Sequence, residues 1–464
     1  MSDKHLKFDR ANLIFAGIFT VFFGFLLVTG EPLYTNDTFQ YENQMVMREP
    51  GYALLIQFLR FLSPEHHYQL IIILQNILAV AANTAFLAFM RRRFQLRLPM
   101  SLLFTAILLS PHIMTPLLSS SHLVLTNSLM TEGILFSLYP FAVMSLLDAM
   151  QSMEFLGKAS IRTIVLFLIL SLIRGQMMVL FVVWLIVMGG IAVMNACRDK
   201  QSSRNKKAVT IIGKCMVLLL LFTAAFVART NLVRAYNYFE NGLFVDTASG
   251  KAMSFANVLY VADREDGEAI RDEELRALFY EMYDTADADK MNYQYAPDGI
   301  LKKAAYHEKC HDELNFTYFA EPAKRYVGEK QGIYTDRYQE LMIAIDKVAA
   351  ELMAELMPQV IGRYALNYIN VIALGFVRTV AYEYPVLAWY ALFLYIAAIV
   401  LTILLWRKNH ASMAAAFMAV VLLTIAGNVC ATALMIQCIS RYMIYNLPMF
   451  YMAGLLELKE FIKK

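Results

Sequence analysis

Charge is what this 464-residue chain has least of. Asp, Glu, Lys and Arg together make up 17% of it, while apolar residues make up 59% and mean hydropathy is +0.49. Soluble domains carry about 25% charged residues, so an ordinary water-soluble fold is excluded. Cysteine is scarce too. Five are scattered, none as a C-x-x-C pair. Cys310 stands alone in the longest polar stretch, so no disulfide forms within that stretch. A Gly-rich phosphate loop is missing, and with it the usual means of holding a nucleotide sugar. There is no basic stripe of the kind that nucleic-acid binding needs. No clear internal repeat with broken helices at matching positions points to a transporter or flippase. The first apolar segment is long and no A-x-A-like site follows it, which argues against a cleaved signal.

What the chain does have is apolar runs of membrane-spanning length, about 20 residues each. They lie near Asn12–Gly30, Tyr68–Met90, Met100–Leu117 and Ser128–Leu147. A further run, Ile164–Met194, is broken at Arg174-Gly175 into two short spans. The rest are Val209–Val227, Tyr384–Trp406, Ser412–Met435 and Met443–Leu456. Basic residues favour the cytoplasmic side. They fall at Lys4, Lys7 and Arg10, at Arg91–Arg93, from Arg198 and Lys200 to Lys207, at Arg407-Lys408 and at Lys459, Lys463 and Lys464. An all-α polytopic membrane protein with about ten spans and both ends cytoplasmic agrees with every one of these clusters. The spacing divides it into an N-terminal membrane part (residues 1–228, first external loop 31–67), an extracytoplasmic domain (229–383) and C-terminal membrane helices (384–464).

The extracytoplasmic stretch reads as mostly helical. Leu341, Ile345, Val348 and Leu352 recur three and four apart, which predicts an amphipathic helix over 337–357. Pro358 is expected to end it. Residues 359–380 are apolar but carry Arg363 and Arg378, and are expected to lie on the membrane surface rather than cross it.

The first external loop concentrates chemistry. Glu31, Asp37 and Glu42 follow the first span, then Arg48-Glu49-Pro50-Gly51-Tyr52, then an apolar stretch to Leu62 that is too short to span and suits an interfacial helix. Carboxylates and an arginine at a membrane surface could deprotonate an acceptor hydroxyl and hold a lipid phosphate beside it. The same charges would also serve a solvated loop that merely stays out of the bilayer. Tyr52 suits an interfacial aromatic anchor.

This order of features resembles membrane glycosyltransferases of the GT-C class, among them dolichyl-phosphate-mannose protein mannosyltransferases and bacterial aminoarabinose transferases. Asn36-Asp37 is similar to their first-loop acidic motif, and Arg48-Glu49-Pro50 to their basic-acidic-proline step. Leu125–Phe141 resembles their fourth span, with Glu132 at its acidic position. Ile173-Arg174-Gly175 resembles a basic break between short spans, and Arg441-Tyr442 ahead of Pro448 the last-span pattern. The departure is a single Asp where many members have two adjacent acids, which bears on a metal site more than on a base. The resemblance implies a GT-C-like fold and an inverting transfer of sugar from a polyprenyl-phosphate donor at the outer face. It implies Asp37 as general base, with Glu49 and Glu132 as further catalytic carboxylates. Arg48, Arg174, Arg441, Tyr52 and His122 would sit on the donor. The acceptor (protein, lipid or glycan) is not specified, a divalent metal is left open as cofactor, and the lipid bilayer is the one further partner. Lone Cys310 and the compact outer domain favour a bacterial plasma membrane. A polysaccharide polymerase or ligase would share such a donor.

One motif competes. His307-Glu308-Lys309-Cys310-His311 matches H-E-x-x-H, which on a helix could bind zinc through His307 and His311 with Glu308 as base. Charged neighbours Lys309, Asp312 and Glu313, and the want of an obvious third ligand, favour a solvated helix face. Asp284, Asp287 and Asp289 lack the glycine and glutamate of an EF-hand. The outer domain is then expected to act as a lid or acceptor-binding cover over a site built elsewhere.

Overall fold

The computed structural model describes residues 10–118, 122–199, 203–410 and 412–463. The expected cytoplasmic markers Lys4, Lys7, Lys200 and Lys464 lie outside them.

Every regular element among the described residues is helical. The chain opens with α1 (Arg10–Thr29), α2 (Asn36–Glu42), α3 (Pro50–Leu62), α4 (His67–Phe94), α5 (Leu98–Leu118) and α6 (Thr131–Ser152). It continues with α7 (Lys158–Ile173), α8 (Val179–Arg198) and α9 (Arg204–Asn241). Then come α10 (Gly250–Val261), α11 (Glu273–Ala288), α12 (Ile300–Glu313), α13 (Ala320–Gln331) and α14 (Tyr338–Ala381). The last are α15 (Ala388–Lys408), α16 (Met413–Met435), the single turn α17 (Ser440–Met443) and α18 (Leu447–Ile462). Nine helices among the described residues are long and apolar enough to cross a membrane, and α14 is one of them. Two of the expected spans, α7 and α18, have only 16 residues each, about 24 Å at 1.5 Å per residue.

Two large cores and three smaller clusters hold the described residues together. One large core runs through the long helices around Phe19, Phe104, Trp184 and Phe417. The other joins α10 to α14 around Phe255, Phe279, Phe319 and Leu352, with Val46 of the first loop inserted. Leu341, Ile345, Val348 and Leu352 all face this second core, as their spacing predicts.

Pro358 does not end its helix; α14, 44 residues long in all, runs on through it to Ala381. A mid-helix proline costs roughly 3 kcal/mol through a lost hydrogen bond and a clash with the preceding turn. Here Pro358 sits on the exposed face, where water can satisfy the freed carbonyl, while Leu356 and Val360 on the opposite face are fully buried. Each such buried side chain is worth about 1.5–3 kcal/mol, enough to offset the break.

The second half of α14 drapes over one end of the bundle. Tyr364 donates to the Leu434 carbonyl, Tyr368 to Cys430 and Arg378 to Cys438. From Tyr364 to Arg378 the helix advances about 21 Å, yet its partners stay within the last turns of α16 and the residues just beyond. At its other end Gln339 accepts from the Val46 amide of the first loop. Both ends of α14 therefore meet the same end of the bundle. The opposite end carries Arg91–Arg93 and Lys459, whose ammonium donates to the Phe94 carbonyl.

The first loop is stitched to the segment before α6. Leu33 exchanges backbone hydrogen bonds with Asn127 and Leu129, and the Asn127 amide donates to the Leu26 carbonyl. A Cβ on Gly30 would lie 2.5 Å from that amide nitrogen, so a side chain there would push the Asn127 amide off its bond to Leu26. Helix α3 buries Ala53, Ile56 and Leu59 and leaves apolar Leu54, Phe58 and Phe61 exposed.

Candidate functional site

The site is made where four chain segments meet at the end of the bundle beneath α14. Asp37 lies in the first turn of α2, whose N-terminus is closed by a Thr35–Thr38 capping box. Thr38 also donates to the Leu129 carbonyl, 2.9 Å away, which ties α2 to the segment entering α6. Glu132 lies in the first turn of α6. Arg174 occupies the break after α7 in an extended conformation, φ −150°. Arg441 lies on α17.

Their side chains converge. Arg48 donates to Asp37 Oδ1 at 2.5 Å, and Arg441 stands 3.5 Å from Asp37 Oδ2. Arg441 is also 3.9 Å from Glu132 Oε1, which pairs with Arg174 at 2.6 Å. Arg174 further donates to the Thr131 hydroxyl, 3.0 Å away. Three guanidiniums thus face two carboxylates in a continuous chain, leaving one positive charge in excess. The Tyr442 ring lies against two of them, with Arg174 4.5 Å and Arg441 5.0 Å from its ring centre. Such cation–π contacts hold a guanidinium flat while its edges stay free to donate. Burial opposes the charge on both Arg48 and Arg441. The Asp37 carboxylate outweighs it at Arg48, and Glu132 and Asp37 outweigh it at Arg441, so both are held charged more firmly than usual. Burial pushes the Tyr41 hydroxyl, beneath Arg48, up to about 12, so it stays protonated.

The residues singled out by sequence fare differently. Asp37, Arg48, Arg174 and Arg441 share one cluster. Glu132 joins it as the buried anchor of Arg174, only 2% exposed and so closed to a substrate. Glu49 turns to Arg229 of α9, 3.1 Å away, and Arg229 also binds Asp246 at 2.9 Å. A Cβ on Gly175 would lie 2.4 Å from the Glu49 carboxylate, so the glycine of the Arg174-Gly175 break makes room for Glu49. That wedge of ion pairs fixes the break rather than meeting a reactant. Tyr52 is fully buried, its hydroxyl donating to Gln75, so it is neither a donor contact nor an interfacial anchor. Packing of α3 on α4 turns it inward. His122 is exposed and hydrogen-bonds the Pro116 carbonyl through Nδ1.

The H-E-x-x-H helix is not a solvated face. His307 and His311 are 1% and 2% exposed. His307 Nε2 pairs with Asn257 Oδ1 at 2.8 Å, and burial lowers its pKa well below the usual range. Glu308 faces Arg378 at 2.5 Å rather than an open site. Among the described residues no three His, Cys, Asp or Glu side chains come together as a metal site requires. Asp284 and Asp289 are engaged by Arg264 and Tyr318.

Sequence reasoning missed Tyr442 as the ring that two arginines share, and it missed Arg229, Gln176 and Asn428. Gln176 accepts from Arg174 Nε at 3.0 Å, and its amide donates to Asn428 and Thr432. Asn428 donates to the Tyr442 carbonyl at 2.9 Å. Amides inside apolar helices are costly unless paired, and that cost was the available signal. Comparison with known protein families, with characterised proteins and with solved structures finds no match.

Proposed function

We propose that this chain is an inverting glycosyltransferase that moves a sugar from a polyprenyl-phosphate carrier to an acceptor at the outer face of a membrane. The observation that carries the reading is the convergence of Arg48, Arg174 and Arg441 on Asp37 and Glu132 at one end of an apolar helix bundle. Ion pairs at a bundle end, with an excess of guanidinium, suit an anionic headgroup whose tail stays in lipid.

The acceptor hydroxyl attacks the anomeric carbon from the face opposite the phosphate. The new C–O bond forms as the bond to the phosphate oxygen breaks, and the phosphate leaves with the electron pair. The hydroxyl proton goes to Asp37. In the resting site both oxygens of Asp37 face guanidinium groups. Arg441, the more distant at 3.5 Å, moves to the phosphate and frees Oδ2 as base. Arg174 is fixed by Glu132, Thr131 and Gln176 and serves as the preorganised donor to the leaving oxygens.

On this reading the site end faces outward and the Arg91–Arg93 end faces the cytoplasm, in keeping with the placement of basic residues. Residues 229–383 form the outer domain, and α14 lies along the surface with both ends outside. About ten spans follow when α7 and α18 are counted and α14 is not. The membrane is a bacterial plasma membrane, and the acceptor is a protein, lipid or glycan. Transfer from a polyprenyl-phosphate sugar by purified protein tests the proposal. Asp37→Asn should lower turnover by about 10²- to 10⁴-fold with the protein folded, and full activity in that variant removes Asp37 as base.

A further inference from the structure

Arg441 follows an irregular stretch, Ile436–Ile439, between the end of α16 and α17. Its first amide, Ile436, still donates into α16 at the Thr432 carbonyl, and beyond that point no helix ladder continues, so the position of 437–439 depends on what grips them from outside. Two side-chain clamps do so, and both lead to α12 of the outer domain. In the first, Arg378 donates to the Cys438 carbonyl at 3.0 Å while holding Glu308 at 2.5 Å through the same nitrogen. In the second, Gln437 donates to Asp312 at 2.9 Å. Glu308 and Asp312 are four residues apart, hence on one face of α12. The helix itself cannot slide, because His307 and His311 are buried beneath that face and His307 is tied to Asn257 of α10. Close packing backs the clamps: a Cβ on Gly375 would lie 2.8 Å from Val429 and 3.0 Å from Cys438. Hydrogen bonds from His311 and Gln437 hold the Asp312 carboxyl below its usual range, with nearby Arg441 adding to the effect.

We infer that Glu308 and Asp312 are positioning residues: through Arg378–Cys438 and through Gln437 they set where Arg441 sits in the ion-pair cluster. The H-E-x-x-H sequence is thus a mount. Its histidines anchor α12 inward, and its acidic face carries the outer domain's grip on the site. What Arg441 holds rests on the function proposed above; that it is held in this way does not.

The test is amide hydrogen exchange on full-length protein in detergent, read over 436–443, beside the affinity of undecaprenyl phosphate. Glu308→Gln, Asp312→Asn and the double variant are compared with Glu313→Gln, a change on the same helix that touches neither clamp. Gln437→Ala opens the second clamp from the loop side and leaves α12 intact. Each single variant should speed exchange in 436–443 by about tenfold, a charge-assisted hydrogen bond's worth, and the double variant by more. Exchange in α11 and α13 should not change, and Glu313→Gln should match wild type. Affinity for undecaprenyl phosphate should fall about tenfold in step. Wild-type exchange over 436–443 in the double variant and in Gln437→Ala would overturn the inference, as would a rise spread equally over the outer domain. Faster exchange in a protein that binds no undecaprenyl phosphate even as wild type upholds the mount and sinks the donor.

Discussion

Glu132 and Arg174 give the sharpest test of the site. Glu132 is 2% exposed and Arg174 16%, and they meet at 2.6 Å. A buried charge stripped of its partner costs about 3–5 kcal/mol, because desolvation is no longer compensated. Glu132→Gln strands Arg174 next to Arg441, a like charge, and should reach that full cost. Arg174→Gln strands Glu132 as well, but Arg441 remains 3.9 Å away, so the loss should be smaller. Replacing both by Gln removes both charges and should cost less than the two single changes together, with a coupling of about 1–3 kcal/mol. The assay is reversible unfolding in mixed micelles, followed by tryptophan fluorescence, to which buried Trp184 contributes. A second readout separates an ion-pair site from mere packing. Glu132→Gln leaves three guanidiniums facing one carboxylate, so inorganic phosphate should bind and restabilise it. At a hundredfold excess over its Kd the gain is about 2.7 kcal/mol. Single-variant costs that add to within about 0.5 kcal/mol, together with no response to phosphate, would refute the reasoning.

Further outcomes follow from other contacts. Gly175→Ala should lose about 1–3 kcal/mol by overpacking against Glu49, and Glu49→Ala should relieve the clash at the expense of the Arg229 pair; equal stability in Gly175→Ala and wild type would show that the break has room to spare. Asp346 accepts from the backbone amides of Lys251 and Ala252 at the start of α10, so Asp346→Ala should cost about 1 kcal/mol in the same unfolding assay. A cysteine at fully exposed Asp298 should react with an impermeant maleimide from outside intact cells, whereas Cys197, next to the basic cluster at Arg198, should react only after permeabilisation; the reverse pattern would invert the proposed orientation. In detergent, exposed Cys197 should label quickly, and buried Cys310 and Cys438 only on unfolding.

Much of this protein is written in its linear chemistry. Span-length apolar runs, the basic clusters and the acidic first loop are local properties, and a membrane helix satisfies its own backbone, so composition alone announces it. The periodicity of Leu341, Ile345, Val348 and Leu352 likewise named the buried face of α14. The break at Arg174-Gly175 was legible because a charge and a glycine interrupt an otherwise continuous apolar run. Tertiary structure decided the rest. Whether Pro358 ends α14 depended on which face met water. Whether Tyr52 faced lipid or protein depended on how α3 packs on α4. Whether Glu49 and Glu132 meet a substrate or hold an arginine depended on partners more than 40 residues distant, Arg174 for Glu132 and Arg229 for Glu49. The role of the H-E-x-x-H helix depended on Arg378 and Gln437, which approach it from other segments. Charge and hydropathy are carried residue by residue, whereas which charge faces which is a property of the assembled interior, and there the partner sets the role.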